Sequence, residues 1–536
     1  MGDVAIYLEL LDRMAVRLAD LVTFPKQCAG TRFGKMAMIG VSMSVHGRLR
    51  GGPGYAFAFL LLAGAFQSPA LAQSKAAAQP ETVPAVMLSD LHLDPFHDPA
   101  KVPLLMKTPV EQWEAILKSA DSPTQEADFA AVQEACKGKQ SFDSPYALLN
   151  SALRAAKAQA PGANFVVVSG DLLVHELDCR YRAALKLPKA KGDDQSLSAA
   201  FAEKTTVFVM KQVESVFAGI PVYLALGNND SRCNHNRLDV HDAYLKATVQ
   251  PVIDGLVGIG AAERKQAVST YESAGYYAVT MAAPMEKTRL LVVDDIYMMS
   301  KFATCEADES DHAGADEQMA WLNRELDGAR QRGEHVWVLG HLPPTVNAKS
   351  ALTMGSALCS KGNAEPFLSS DDLTNAITAH ADVMRLAIFG HTHLDELHVI
   401  GDKGSVVPVK VVGSISPVDG NTPSFVVAKV APASATLVDY AVYDASNRAG
   451  IGTTWTKKYD FKETYHEPNF SAKSLDELIG RFKADSAGST AESLAYQRNY
   501  LNGFPINQMG PYWQSFACSL DHSTAAGFKA CVCGVK

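Results

Sequence analysis

Aspartates, histidines and one asparagine recur in this chain at one kind of place, directly after a short apolar run. Asp90 and His92 follow the run Val83 to Leu88. Asp171 follows Phe165 to Val168 through Ser169 and Gly170, and Asn228 follows Pro221 to Leu226 through Gly227. His341 follows Val336 to Leu339 through Gly340, and His391 and His393 follow Val383 to Phe389 through Gly390. Carboxylate and amide oxygens mixed with imidazole nitrogens suit zinc, iron or manganese better than calcium. Any one block is the ordinary composition of a turn, because Gly-Asp and Gly-Asn favour turns. Five blocks at equivalent places form a donor set, and the chemistry they predict is metal binding.

The apolar runs read as buried strands. Functional groups in α/β sheets collect at the carboxyl ends of strands, and the glycines before Asp171, Asn228, His341 and His391 should let the backbone turn sharply there. Between the runs lie helical segments: Tyr146 to Ala160, Ser196 to Phe217, and Asp316 to Arg330 with Met319, Leu322 and Leu326 on one face. Gly275 to Met281 and Leu290 to Val293 read as strands of a second sheet. Such alternation predicts an α/β layered core. After Gly413 the pattern turns β-rich, then helical and cysteine-bearing.

The ordered blocks Asp-x-His, Gly-Asp, Gly-Asn-x-Asp, Gly-His and Gly-His-x-His resemble the calcineurin-type metallophosphoesterases over about Val83 to Pro417. Asp90-Leu-His-Leu-Asp-Pro95, Gly340-His-Leu-Pro-Pro344, Gly390-His-Thr-His-Leu-Asp-Glu396 and Ser414-Ile-Ser-Pro417 are similar to the acid sphingomyelinase-like branch, whose saposin domain has no counterpart here. The resemblance implies a four-layer α/β sandwich, two mixed β-sheets flanked by helices, here with a C-terminal mixed α/β extension. It implies two divalent metal ions, with zinc favoured over iron or manganese. Asp90, His92 and His393 would hold one ion, Asn228, His341 and His391 the other, and Asp171 would bridge them. The nucleophile would be a metal-activated water. One position departs from the family. The residue after Asn228 is commonly a histidine that helps the leaving oxygen depart, and here it is Asn229, which donates a hydrogen bond but delivers no proton at neutral pH. His175, four residues past Asp171, is the expected general acid, and His235 is the second candidate.

Composition sets the surroundings. With 47% hydrophobic residues a large core is possible, and a net charge of −9 argues against binding nucleic-acid polymers or anionic membranes. Arg48 and Arg50, the apolar run Tyr55 to Phe66 and Ala70-Leu-Ala72 have the order of a signal peptide. It lies far from Met1, so Met36, Met38 or Met43 makes a better start. The expected division is 1–72 as extension plus signal peptide, 73–430 as catalytic domain, and 431–536 as a cysteine-containing subdomain. Eight cysteines follow residue 72, an even number that favours disulfides in an oxidising compartment. Cys531 and Cys533 are too close to bridge easily, so at least one should pair with Cys518.

The function these features support is a secreted or periplasmic phosphodiester or phosphoanhydride hydrolase. It would act on a small molecule, a lipid head group or a nucleotide, without a membrane anchor after cleavage. A phosphomonoesterase of acid phosphatase type, and a metal-stabilised binding protein without turnover, are the alternatives. Loops 97–143, 176–198 and 298–318 are the expected determinants of substrate choice.

Overall fold

The computed structural model describes residues 81–136, 142–188, 196–233, 235–305, 313–348, 357–360, 362, 364–402, 404–503 and 509–534, all within a compact unit spanning Ala76–Lys536. The expected extension and signal peptide, 1–72, lie outside the described residues. Twelve strands are present among the described residues: β1 (Val83–Leu88), β2 (Phe165–Ser169), β3 (Val222–Ala225), β4 (Tyr277–Thr280), β5 (Thr288–Val292), β6 (His335–Leu339), β7 (Met384–Phe389), β8 (Glu396–Ile400), β9 (Val407–Val411), β10 (Ser424–Ala431), β11 (Thr436–Ala445) and β12 (Trp455–Asp460).

They form two six-stranded mixed sheets, ordered β12-β11-β10-β1-β2-β3 and β4-β5-β6-β7-β9-β8. In the first, β1, β2 and β3 run parallel and β10 joins β1 antiparallel. In the second, β5, β6, β7 and β9 run parallel while β4 and β8 are antiparallel additions. Parallel strands covered on both faces need continuous apolar runs, which is why these read so clearly in the sequence. Residue 431, the expected start of the C-terminal subdomain, is the last residue of β10, and β11 and β12 extend the first sheet beyond it.

Register places the site. Leu88 pairs with Val168 and Ser169 with Ala225, while Val292 pairs with Leu339 and Leu339 with Ile388. The carboxyl ends of each parallel set are therefore level, and the polar residues after them emerge side by side. The sheets meet through an edge-on contact of Phe165 with Trp337, ring centroids 5.7 Å apart, and through Tyr277, whose hydroxyl donates to Leu224 O at 2.9 Å. Helices cover the outer faces. Helix Tyr146–Gln159 packs on β10 with Leu149, Ala152, Leu153 and Ala156 buried, the spacing of one helical face. Helix Ala313–Arg332 lies on β5 and β6, and helix Ala472–Ala484 on β8 and β9.

Four disulfides join Cys136–Cys179, Cys233–Cys305, Cys359–Cys533 and Cys518–Cys531. Cys531 pairs with Cys518 and Cys533 with a distant partner, in keeping with the spacing argument.

Candidate functional site

The loops after β1, β2, β3, β6 and β7 converge, and all seven expected ligands come together. Asp90, His92, Asp171, His391 and His393 adopt left-handed backbone conformations, with φ between 37° and 71°. Non-glycine residues pay on the order of 1–3 kcal/mol for such conformations, which persist where surrounding structure imposes them. Here the imposing contacts are backbone pairs that continue past the strand ends, Asp90 N to Gly170 O at 3.0 Å and His92 N to Asp171 O at 2.9 Å. Among the glycines before ligands, only Gly170 has a positive φ, 87°. Gly390 serves by close approach instead, since a side chain there would strike Ser89 Oγ and Asp90 Oδ2.

One donor group comprises Asp90, His92 and His393. His92 Nδ1 donates to Leu173 O at 2.6 Å, so its Nε2 carries the lone pair. That Nε2 lies 3.3 Å from His393 Nε2, 3.3 Å from Asp171 Oδ2 and 3.8 Å from Asp90 Oδ1. Asp90 Oδ1 is buried without a hydrogen bond, with His393 Nε2 3.3 Å away. A zinc–nitrogen bond of about 2.0–2.1 Å puts tetrahedral neighbours about 3.3–3.4 Å apart. Two imidazole nitrogens and two carboxylate oxygens converging at such separations fit a shared divalent ion.

The second group comprises Asn228, His341 and His391. His341 Nδ1 donates to Ser169 O at 2.7 Å, leaving Nε2 as the ligand atom. Asn228 donates Nδ2 to Asn236 Oδ1 at 3.0 Å, which turns Oδ1 towards His341 Nε2 at 3.0 Å and His391 Nδ1 at 2.9 Å. Asp171 Oδ2 lies 3.3 Å from both His341 Nε2 and His92 Nε2, so one oxygen faces both groups.

The electrostatics agree with this geometry. Burial, then the neighbouring His175, lowers the pKa of His92 to about 4, and burial, then His341, lowers that of His391 to about 3. Both rings are neutral at pH 7 and offer lone pairs. Burial also works against charging His341, but Asp171, Asp90 and Asp295 outweigh it and raise its pKa to about 10. The surplus of carboxylate charge thus holds a positive charge where a cation would sit.

Three buried aspartates brace the ligand loops. Asp230 accepts from Gly227 N, Leu172 N and Leu173 N at 2.8–3.1 Å. Asp295 Oδ2 accepts from His341 N at 2.8 Å and Leu342 N at 3.0 Å. Asp143 accepts from His175 N at 3.0 Å, from Ser416 Oγ at 2.7 Å, and faces His175 Nδ1 at 3.1 Å. Burial opposes ionisation of Asp143, but His175, His92 and Arg180 outweigh it and hold the carboxyl far below its usual range. Asp143 and Asp295 carry no motif around them in the sequence. Asp230 stands in the Gly-Asn-x-Asp block, where its spacing from Asn228 was the available signal.

His175 and Asn229, the expected proton-transfer positions, lie at the same centre with different surroundings. His175 stacks on His92, ring centroids 4.1 Å apart. Asn229 is turned inward, its backbone N donating to Asp171 Oδ1 and its Nδ2 to Asp171 Oδ2, both at 2.8 Å. A cavity of about 390 Å³ opens above, lined by Asp171, His175, Asn228, Asn229, His391 and His393 and walled by residues 299–301, 346–348 and 365–367 together with Tyr500. Among the described residues of the loops expected to choose the substrate, 176–198 contributes Glu176 and 298–318 contributes Met299, Ser300 and Lys301, while 97–143 contributes no lining residue. The wall segments 346–348 and 365–367 were not anticipated.

Comparison with known proteins places this arrangement among others. The family model for calcineurin-like phosphoesterases matches residues 83–395. The chain is similar to acid sphingomyelinase-like phosphodiesterase 3b of Homo sapiens, 24% identical over 454 residues, covering 82% of this chain and 86% of that one. It is similar to a cyclic GMP-AMP phosphodiesterase of Mus musculus, 24% identical over 352 residues, covering 63% and 71%. It is also similar to sphingomyelin phosphodiesterase of Homo sapiens, 24% identical over 304 residues, covering 52% and 42%.

Proposed function

Because this chain belongs to the calcineurin-like phosphoesterase family, a family of metal-dependent phosphoric ester hydrolases, we propose that it is an exported two-metal phosphodiesterase. The observation that carries the reading is the pair of donor groups sharing one oxygen, Asp171 Oδ2. Asp90, His92 and His393 would hold one ion and Asn228, His341 and His391 the other, with Asp171 between them. Nitrogen and oxygen donors without a thiolate favour zinc, with iron and manganese the alternatives. Two such ions would lower the pKa of a bound water and stabilise charge on the phosphoryl oxygens during in-line displacement.

The chain's own residues supply the rest. Asn229 fixes both oxygens of Asp171 and so sets the direction of the bridge. His175 gives Nδ1 to Asp143, which leaves Nε2 as the atom available for proton delivery to a leaving oxygen. The Asp143 carboxylate holds the ring in that orientation. The cavity size and its polar wall, including Ser300, Lys301, Asn347 and Glu365, suit a head-group- or nucleotide-sized phosphodiester or phosphoanhydride. Four disulfides support an oxidising compartment, periplasmic or extracellular. No helix among the described residues is long and apolar enough to cross a membrane.

A substrate panel tests the reading: bis-nitrophenyl phosphate, nitrophenyl phosphate, nitrophenyl phosphorylcholine and ATP, each with and without chelator. The expected result is chelator-sensitive turnover, greater on diesters or anhydrides than on the monoester. Preference for nitrophenyl phosphate would make the protein a phosphomonoesterase. Bound metal with no turnover anywhere on the panel would make it a binding protein.

A further inference from the structure

Asn229 leaves one side of the cavity without the imidazole that its position commonly supplies, because its amide is spent on Asp171. The same wall carries another imidazole six residues later. His235 lines the cavity together with Asn228, Asn229, His175 and His391, and also lines the small recess behind Asn229.

The segment bearing His235 is fastened to the metal centre. Asn236 N donates to Asn228 O at 2.7 Å, and Asn236 Oδ1 accepts from Asn228 Nδ2 at 3.0 Å, so the residue after His235 is doubly bonded to an expected ligand. Asn236 adopts a left-handed conformation, φ 63°, which turns the chain at that point. Ala303 N donates to Asn236 O at 3.0 Å, and the Cys233–Cys305 disulfide ties the segment's start to the same neighbour. A histidine on a segment pinned at both ends and opening into a catalytic cavity is a preorganised donor. The His235 side chain is exposed, so a substrate entering the cavity can reach it while its backbone is held in place by Asn236.

We propose that His235 is a catalytic residue that donates a ring N–H to a non-bridging phosphoryl oxygen of the substrate, on the side where Asn229 cannot. This rests on the phosphodiesterase reading above. The two cavity histidines outside the donor groups then have different tasks. His175 has a buried carboxylate behind it, an arrangement for holding and passing a proton. His235 is exposed at the cavity mouth, where partial desolvation outweighs the nearby Glu176 and lowers its pKa, so the ring is neutral at pH 7. A neutral imidazole donates a hydrogen bond without transferring its proton. The contact strengthens as charge builds on the phosphoryl group, so it should act on kcat more than on KM.

The experiment compares His235→Ala and His235→Gln with the wild-type enzyme, full chain, zinc-loaded. The substrates are bis-nitrophenyl phosphate and methyl phenyl phosphate, a good and a poor leaving group, and metal content and kcat are measured for each protein. His235→Ala should keep its metal and lose kcat on the order of 100-fold, the cost of one preorganised donor, equally on both substrates. His235→Gln, with an amide N–H in place of the ring N–H, should recover roughly tenfold of that loss. A His235→Ala enzyme within about twofold of wild type would overturn the proposal, as would loss of metal or a loss confined to the poor leaving group. A wild-type enzyme inactive on every substrate would instead defeat the phosphodiesterase reading itself, so the two failures are distinct.

Discussion

The floor of the cavity and its walls are built on different principles. On the floor, six of the seven expected ligands are buried, five sit in strained left-handed conformations, and buried carboxylates hold their loops through backbone N–H groups. In the walls, residues 299–301, 346–348 and 365–367 come from irregular segments outside the strands, and Lys301 is exposed. Strain is sustainable only where packing over-determines the backbone, so the rigid part is the part that sets the chemistry. The walls can vary without disturbing it, which is where substrate choice is expected to lie.

Removing the shared oxygen should break the floor most completely. Asp171→Ala is expected to abolish metal-dependent turnover and bind fewer ions, measured by metal analysis after dialysis. Asp230→Asn is a milder blow, because an amide has one acceptor oxygen and cannot accept both from Gly227 N and from Leu172 N and Leu173 N as the two carboxylate oxygens do. Loss of a partner behind the ligands typically costs 10–100-fold in metal affinity or activity, so chelator titration should show a weakening of about that size. His175→Ala should keep both ions and lose on the order of 100-fold in kcat on alkyl phosphodiesters, with much less lost on nitrophenyl esters. Equal activity on alkyl diesters would remove the proton-donor role from His175.

Changes in the walls should be smaller and fall on KM. Lys301→Ala is expected to raise KM for the anion ATP by about fivefold or less, the value of an exposed charge, and to leave KM for nitrophenyl phosphorylcholine unchanged. A large fall in kcat would move Lys301 from the walls into the catalytic machinery.

The smallest expected effect lies away from both. Glu214, in the helix Ser196–Val216, has its pKa raised from 4.5 to about 7, first by burial and then by Asp254. The folded state binds this proton more tightly than the unfolded chain, so the group costs no stability below pH 4.5 and costs most above pH 7. Glu214→Gln should therefore raise Tm at pH 8, leave it unchanged at pH 4.5, and leave kcat unchanged at both.

The floor was legible in the sequence because each ligand follows a covered parallel strand, and such strands are continuous apolar runs. The bracing residues were harder to see. Asp143 acts on His175 from 32 positions away, and Asp295 on His341 from 46, which local spacing does not reveal. Strands β8 and β9 precede Gly413, where a β-rich pattern was expected to begin; Glu396, His398 and Lys410, buried within them, interrupt the apolar run by which strands are read. Those groups are paired in place: Glu396 Oε2 lies 2.7 Å from His398 Nε2, and Lys410 pairs with Asp395 with the Tyr440 ring 4.8 Å away. Helix Ala261–Ala274 buries only Ala267, Tyr271 and Ala274, too narrow a stripe to stand out. The wall segments 346–348 and 365–367 carry no strand or helix periodicity, so nothing in their sequence placed them at the donor groups.

Metal stoichiometry alongside turnover bears most directly on the shared-oxygen centre. Protein stripped with chelator and reloaded with zinc should bind two ions per chain, with bis-nitrophenyl phosphate hydrolysis lost on stripping and regained as the second ion binds. Full hydrolysis by the stripped protein, or an active protein holding a single ion at saturation, would contradict the account.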